Sequence, residues 1–220
     1  MTQTVHLIDD DVSFLRSMGR RLRSQGFAVA TYDSVAEFLL RPDADGPGCV
    51  LTDLQMPNRD GFELQKLLAQ SPNPLPVIFV TGKGDIPTSV RAMRAGAEDF
   101  LTKRADSDEL LAAIRRAFQR DRGEREARRQ RQSARDAIMG LGARELQVLV
   151  GVVQGMQNRE MATAYGLSER TINYYRTLLT RGLDIYTSVG LSRLVSEAGM
   201  SVEELAAVSR DALNQHDRLS

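Results

Sequence analysis

The chain has 220 residues, 29 basic and 29 acidic side chains with no formal net charge, 42% hydrophobic residues and one cysteine; such a length predicts two domains of about 80 to 120 residues with a connector. The composition excludes disorder, no apolar run approaches the roughly 18 residues of a membrane helix, and a lone Cys49 excludes an internal disulfide or a cysteine-based zinc site. Neutrality argues against nucleic-acid binding through bulk electrostatics, so any such contact must be local.

The N-terminus lacks the basic start and apolar segment of a signal peptide, so a cytoplasmic location without a membrane partner is expected. From residue 5 to about 118, short apolar runs alternate with helical patterns. Val5–Ile8 reads as a strand, 13–25 as a helix, Ala28–Ala30 as a strand and 34–40 as a helix. Cys49–Thr52 follows as a buried strand with the cysteine in the core, then a helix at 61–70, the strand Val77–Val80, a helix at 88–95, the strand Asp99–Leu101 and a helix from 107. Five strands alternating with five helices predict an α/β doubly wound parallel five-stranded sheet. Ligands of such sheets bind beyond the carboxyl ends of the strands, where connections reverse direction. Asp9 and Asp10, Asp53, Thr81 and Lys103 all stand at such ends.

Residues 115–135 are arginine-rich and poor in large apolar side chains, and they predict a solvated helical connector with paired surface charges. Gly123 weakens that helix and offers a hinge. Beyond Leu141, helices are predicted at 144–154, 159–164 and 169–181, with a fourth near 188–198. The turn Tyr165-Gly166-Leu167, followed by the N-cap Ser168, is a helix-turn-helix signal. Ser201 and Glu204 have capping-box spacing, which predicts a short last helix to about Arg210 and then a polar tail. The expected divisions are 1–118, a linker at 119–138, an all-α module at 139–200, and a C-terminal helix and tail at 201–220.

Asp9, Asp10 and Asp53 bring three carboxylates to one sheet edge, where they repel unless a cation intervenes. Mg²⁺ suits carboxylates, a carbonyl and retained waters. It would also neutralise a phosphoryl group arriving at a carboxylate nucleophile, with Lys103, one of only three lysines, pairing with the phosphoryl oxygens.

Residues 5–118 resemble a response-regulator receiver of the FixJ type. The resemblance is carried by Leu7-Ile8-Asp9-Asp10-Asp11, by Thr52-Asp53-Leu54-Gln55-Met56-Pro57 with Asp60-Gly61, and by the stretch from Thr81-Gly82-Lys83-Gly84-Asp85-Ile86-Pro87 to Ala92–Lys103. It implies Asp53 as phosphoacceptor, Asp10 as the main acidic Mg²⁺ ligand, Asp9 acting through water, and the Gln55 carbonyl completing the metal site. Thr81 and Phe100 fall on the family's switch positions. The face near 88–118 would be used for dimerisation, and a sensor histidine kinase is the implied partner. The family usually has a proline after the lysine; here it is Arg104, which bears on how Lys103 is placed.

Residues 141–199 are similar to the LuxR/GerE/NarL helix-turn-helix type, through Leu141–Leu149, Gly155–Ala162 and Leu167–Ile172. At helical period, Ile172, Tyr175, Leu179 and Leu183 face inward, while Arg170, Asn173, Tyr174, Thr177 and Arg181 face outward. Those outward residues, with Thr171, are the candidate DNA contacts: Asn pairs with adenine, Thr touches a thymine methyl, and Arg holds phosphate or guanine. Asn173, Tyr175 and Gly182 depart from the family's usual residues, the glycine costing the helix about 1 kcal/mol relative to alanine.

The expectation is thus a phosphorylation-activated, dimeric transcriptional regulator on an inverted repeat, with RNA polymerase as a further candidate partner and no enzymatic role beyond self-phosphotransfer and autodephosphorylation at Asp53. Two alternatives are a phosphoryl-accepting sink or interaction protein and a phosphorylation-independent regulator with altered DNA binding. A Mg²⁺-dependent phosphohydrolase lacks the second aspartate that follows the nucleophile in such enzymes.

Overall fold

A computed structural model describes residues 3–40, 46–57, 60–82 and 84–219, with side chains to residue 215. The chain forms two compact units, Met1–Arg125 and Glu126–Ser220. In the first, β1 (Thr4–Ile8), α1 (Val12–Ser24), β2 (Ala28–Tyr32), α2 (Val35–Leu39), β3 (Gly48–Thr52), α3 (Gly61–Ala69), β4 (Val77–Thr81), α4 (Ile86–Arg94) and β5 (Asp99–Thr102) alternate before α5 (Ser107–Met139). The strands are parallel in the order β2-β1-β3-β4-β5, so the expected sheet is present.

The strands alternate their side chains between two cores. Leu7, Cys49, Leu51, Ile78 and Val80 pack with Leu15 and Leu22 of α1 and with Leu111 and Ile114 of α5. Ile8, Val50, Val77 and Phe79 meet Phe38 of α2, Leu64 of α3 and Ala92 of α4. A strand buried on both faces needs a continuous apolar run rather than alternation, which is why β3 and β4 stand out in the sequence. Cys49 is free and fully buried, as expected of a core residue, and burial pushes its thiol pKa far up.

Helix α5 runs unbroken through Gly123, so the expected hinge is not expressed as a break. Two i,i+4 ion pairs bracket the glycine, Arg120 with Glu124 at 2.8 Å and Arg125 with Asp121 at 2.7 Å, and they support the helix where its propensity falls. Asp121 is fully buried. It accepts the Gly48 N–H at 3.0 Å, while Arg125 also donates to the Gly46 carbonyl at 2.6 Å. This network fastens the start of β3 to α5.

In the second unit, Ala134 and Ile138 of α5 join a core with α6 (Ala143–Val153), α7 (Asn158–Tyr165), α8 (Glu169–Leu183), α9 (Ser188–Glu197) and α10 (Val202–Leu219). Gly166 ends α7 at φ 66°, a left-handed conformation that glycine adopts without strain and that turns the chain into α8. The last helix extends beyond the expected end near Arg210. Its capping box is present, with the Ser201 N–H donating to Glu204 and the Glu204 N–H to Ser201. Leu205, Val208 and Ala212 carry an apolar stripe onto the core and prolong the helix through a segment whose composition is polar.

Candidate functional site

Register alone assembles the acidic site. Ile8 pairs with Thr52 and Thr81 with Thr102, so Asp9, Asp53 and Lys103 each leave the sheet at one level, beside Thr81. The β1/β3 pair is also where the chain's winding reverses. Backbone bonds hold the exits in place: Asp53 N–H to Ile8 O at 3.0 Å, and Lys103 N–H to Thr81 O at 2.9 Å.

Asp9 is fully buried, Asp53 is 9% exposed and Asp10 is open to solvent. One carboxylate oxygen from each lies within 4.8 Å of the others. Lys103 Nζ reaches Asp9 Oδ2 at 2.6 Å and Asp53 Oδ2 at 2.9 Å, and lies 4.4 Å from the centre of the Phe14 ring. The lysine is therefore placed between the two carboxylates with Arg104, not proline, behind it; no peptide bond among the described residues is cis. A turn holds it, with the Ala105 N–H donating to Thr102 O at 2.9 Å.

Burial pushes the Asp9 carboxyl above its ordinary value, against the opposing pull of Lys103 and the Asp11 N–H. Burial lowers Lys103, but its hydrogen bonds to Asp9 and Asp53 outweigh that and leave it raised. Three carboxylates against this one ammonium leave the cluster electron-rich, and a hard divalent cation fits that donor set. Gln55 lies beside it, its N–H donating to Asp53 Oδ1 at 3.3 Å. Thr81 is buried at the end of β4. The half-buried Phe100 ring lies 6.2 Å from that of Phe79, and a Cβ on Gly84 would come 2.9 Å from it. A Cβ on Gly61 would stand 2.7 Å from the Asp53 carbonyl and from Phe79, so only glycine lets α3 start this close to the site.

In the second unit, Ile172 and Leu179 of α8 are buried and Tyr175 and Leu183 half-buried, the predicted inward stripe. Arg170, Asn173, Tyr174, Thr177 and Arg181 are exposed. Thr171 is engaged at the helix start, its N–H donating to Ser168 Oγ at 3.1 Å. Asn173 Oδ1 accepts from Asn158 Nδ2 at 2.6 Å, and the Thr177 hydroxyl donates to the Asn173 carbonyl at 2.9 Å. Arg176, which a two-face reading of α8 passes over, donates to Asn158 Oδ1 at 2.9 Å and Ser188 Oγ at 3.3 Å. It ties the starts of α7 and α9 to the middle of α8.

Residues 5–115 match the response regulator receiver domain, and residues 139–194 match the bacterial regulatory proteins of the luxR family. The chain belongs to the two-component response regulators. With a DNA-binding module of the luxR family behind its receiver, this response regulator is a two-component transcriptional regulator. It is 35% identical to the transcriptional regulatory protein FixJ of Bradyrhizobium diazoefficiens, across 89% of this chain and 96% of that protein. Nodulation protein W of the same organism is 36% identical, across 90% of this chain and 87% of that protein. Among solved structures, the response regulator StyR superposes with a TM-score of 0.79 at 35% identity, over 90% of this chain and 100% of that one. No helix among the described residues is long and apolar enough to cross a membrane.

Proposed function

We propose that Asp53 of this response regulator is phosphorylated by a sensor histidine kinase, and that the phosphorylated chain dimerises and binds an inverted DNA repeat. The observation that carries this reading is the Lys103 ammonium set between Asp9 and Asp53 at the β1/β3 crevice. An Asp53 carboxylate oxygen attacks the phosphorus of a phosphohistidine; the P–O bond forms as the P–N bond breaks, and the electron pair leaves on the imidazole nitrogen. Lys103 exchanges its contact with Asp53 for a phosphoryl oxygen, and the Thr81 hydroxyl donates to another. Phe100 then moves inward behind Thr81. Asp10, Asp53 and the Gln55 carbonyl would hold Mg²⁺, with Asp9 acting through water, and the ion supplies charge neutralisation at the phosphoryl group.

The dimer face is that of α4, β5 and the start of α5, near 88–118, and on α4 Ile86, Val90 and Met93 stand exposed at i, i+4 and i+7, an apolar stripe that is uncovered among the described residues. A two-fold pair of recognition helices α8 would meet DNA about one turn apart, near 34 Å. Sedimentation of the full chain with Mg²⁺, with and without beryllofluoride, tests the reading. A monomer-to-dimer shift supports it, whereas an unchanged species with salt-dependent binding to a specific repeat makes the chain a phosphorylation-independent regulator.

The metal is tested by stability. A carboxyl whose folded pKa is raised stabilises the fold below its unfolded pKa and loses that contribution as pH rises through the folded pKa. Ionised Asp9 therefore costs the apo receiver stability near neutrality, and Mg²⁺ offsets that cost. At a hundredfold excess over Kd, Mg²⁺ is expected to stabilise by about 2.7 kcal/mol. On acidification the gain should fade at a higher pH than an ordinary aspartate would set, because protonated Asp9 no longer supports the ion. Thermal midpoints across pH, with and without Mg²⁺, measure this; a gain that persists unchanged into strong acid removes Asp9 from the metal site.

At the DNA end, Asn173 Oδ1 already accepts from Asn158 Nδ2 and keeps a second lone pair with which to accept from an adenine. Asn173→Ala is expected to cost about 1–3 kcal/mol on the preferred operator and to narrow its advantage over a site changed at one base. Arg176→Ala, which loosens the helix junction, should weaken both sites alike. Equal losses for Asn173→Ala on the two sites would remove it from base reading.

A further inference from the structure

Lys103 has a third neighbour besides its two carboxylates. Its Nζ stands over the Phe14 ring, 4.4 Å from the centre and within reach of a cation–π contact. The ring is tied to the acidic cluster through the backbone. Phe14 is the third residue of α1, and its N–H donates to Asp11 Oδ1 at 3.1 Å, while the Asp11 N–H donates to Asp9 Oδ1 at 2.9 Å. The turn that carries Asp9 thus also fixes the start of the helix that carries the ring. Phe14 is half-buried against the core cluster that includes Leu15 and Ile114, and Ala105, two residues beyond the lysine, packs against the same cluster.

An ammonium has three donors on a flexible four-carbon stem. Two of them meet carboxylates here, Asp9 at 2.6 Å and Asp53 at 2.9 Å. Neither contact comes through the proposed chemistry unchanged: Asp53 gives its charge to the new bond with phosphorus, and Asp9 is drawn toward the hydrated ion. The Phe14 face takes part in neither event. An interaction speeds a step only if it is stronger in the transition state than before it. As the carboxylates let go, the ring holds a growing share of the ammonium. It does so where the lysine side chain is only 21% exposed, and partial desolvation strengthens a cation–π contact.

We propose that Phe14 is a positioning residue for phosphotransfer, its π face keeping the Lys103 ammonium at the phosphoryl site while Lys103 exchanges Asp53 for a phosphoryl oxygen. The inference rests on the phosphotransfer reading above and adds a residue to it. A ring that only fills the core would do so equally well with fluorine on its edge. Fluorine withdraws electron density from the face and weakens its hold on a cation step by step, with little change in size.

The full-length chain with Mg²⁺ is prepared with 4-fluoro-, 3,5-difluoro- and 3,4,5-trifluorophenylalanine at position 14, and phosphoryl uptake from acetyl phosphate, with acetate leaving, is timed by intact mass. The rate should fall with each fluorine, ending about threefold to tenfold below that of the natural ring, while the thermal midpoint stays level. Phe14→Leu, which keeps an apolar filling without a ring, should be slowed at least as much. The contact itself is read without any phosphoryl donor. The chain has three lysines, so ¹³C at lysine Cε gives three signals. The Lys103 ε-protons, assigned by Lys103→Arg, should lie upfield under the ring current and join the other two in Phe14→Leu. A rate that is flat across the fluorine series, or a Lys103 signal that Phe14→Leu leaves unmoved, overturns the inference with phosphotransfer intact. A natural chain that takes no phosphoryl group at all fails the phosphotransfer reading itself, and the inference with it.

Discussion

With asparagine at position 53, the full chain is expected to stay monomeric in Mg²⁺ with or without beryllofluoride and to take no phosphoryl group from acetyl phosphate. The substitution preserves shape: the amide can still accept the Gln55 N–H, and Lys103 keeps its 2.6 Å pair with Asp9. What disappears is the proposed nucleophilic oxygen and one negative charge at the carboxyl end of β3. A switch that moves a population from one state almost wholly to the other needs about 5.5 kcal/mol of differential stabilisation, and the aspartyl phosphate is its proposed source. Sedimentation velocity and intact-mass measurement read the two losses separately. Dimerisation of the Asp53→Asn chain on adding beryllofluoride would place the acceptor elsewhere.

Val90→Asp should uncouple the two events. Val90 lies mid-stripe on α4, between Ile86 and Met93, and Ile86 is 80% exposed. A carboxylate there is solvated in the monomer but buried without a partner if two α4 faces meet, at a cost of several kcal/mol. The dimer dissociation constant should rise about a hundredfold or more. Phosphoryl uptake at Asp53 should stay within a few-fold, because Val90 is an exposed side chain on α4 and not part of the acidic cluster. A variant that still dimerises at the original concentration would move the interface off α4.

The succession of strands and helices and the location of the acidic cluster were legible because parallel packing imposes its own grammar. Strands buried on both faces must read as apolar runs, and polar residues at their carboxyl ends have no core to join. Asp9, Asp53 and Lys103 could be singled out for that reason. The extent of α5 was less legible: Gly123 signals weakness, while the ion pairs that carry the helix across it depend on rotamers that spacing does not fix. The last helix was cut short because its polar composition masks the stripe Leu205, Val208 and Ala212. Arg176 escaped notice because its partners, Asn158 and Ser188, begin other helices.

The buried Asp121 has a consequence for modularity. A cut made where the apolar patterning of the first unit fades would fall close to residue 118. A receiver excised there would lose the carboxylate that receives the Gly48 N–H, and Arg125, which clasps the Gly46 carbonyl. The strand that delivers Asp53 would then begin from an unpinned end. A transplantable receiver from this chain must therefore extend at least through Arg125, which places the junction within α5 and makes helical phase across the joint a condition that any recipient effector has to meet.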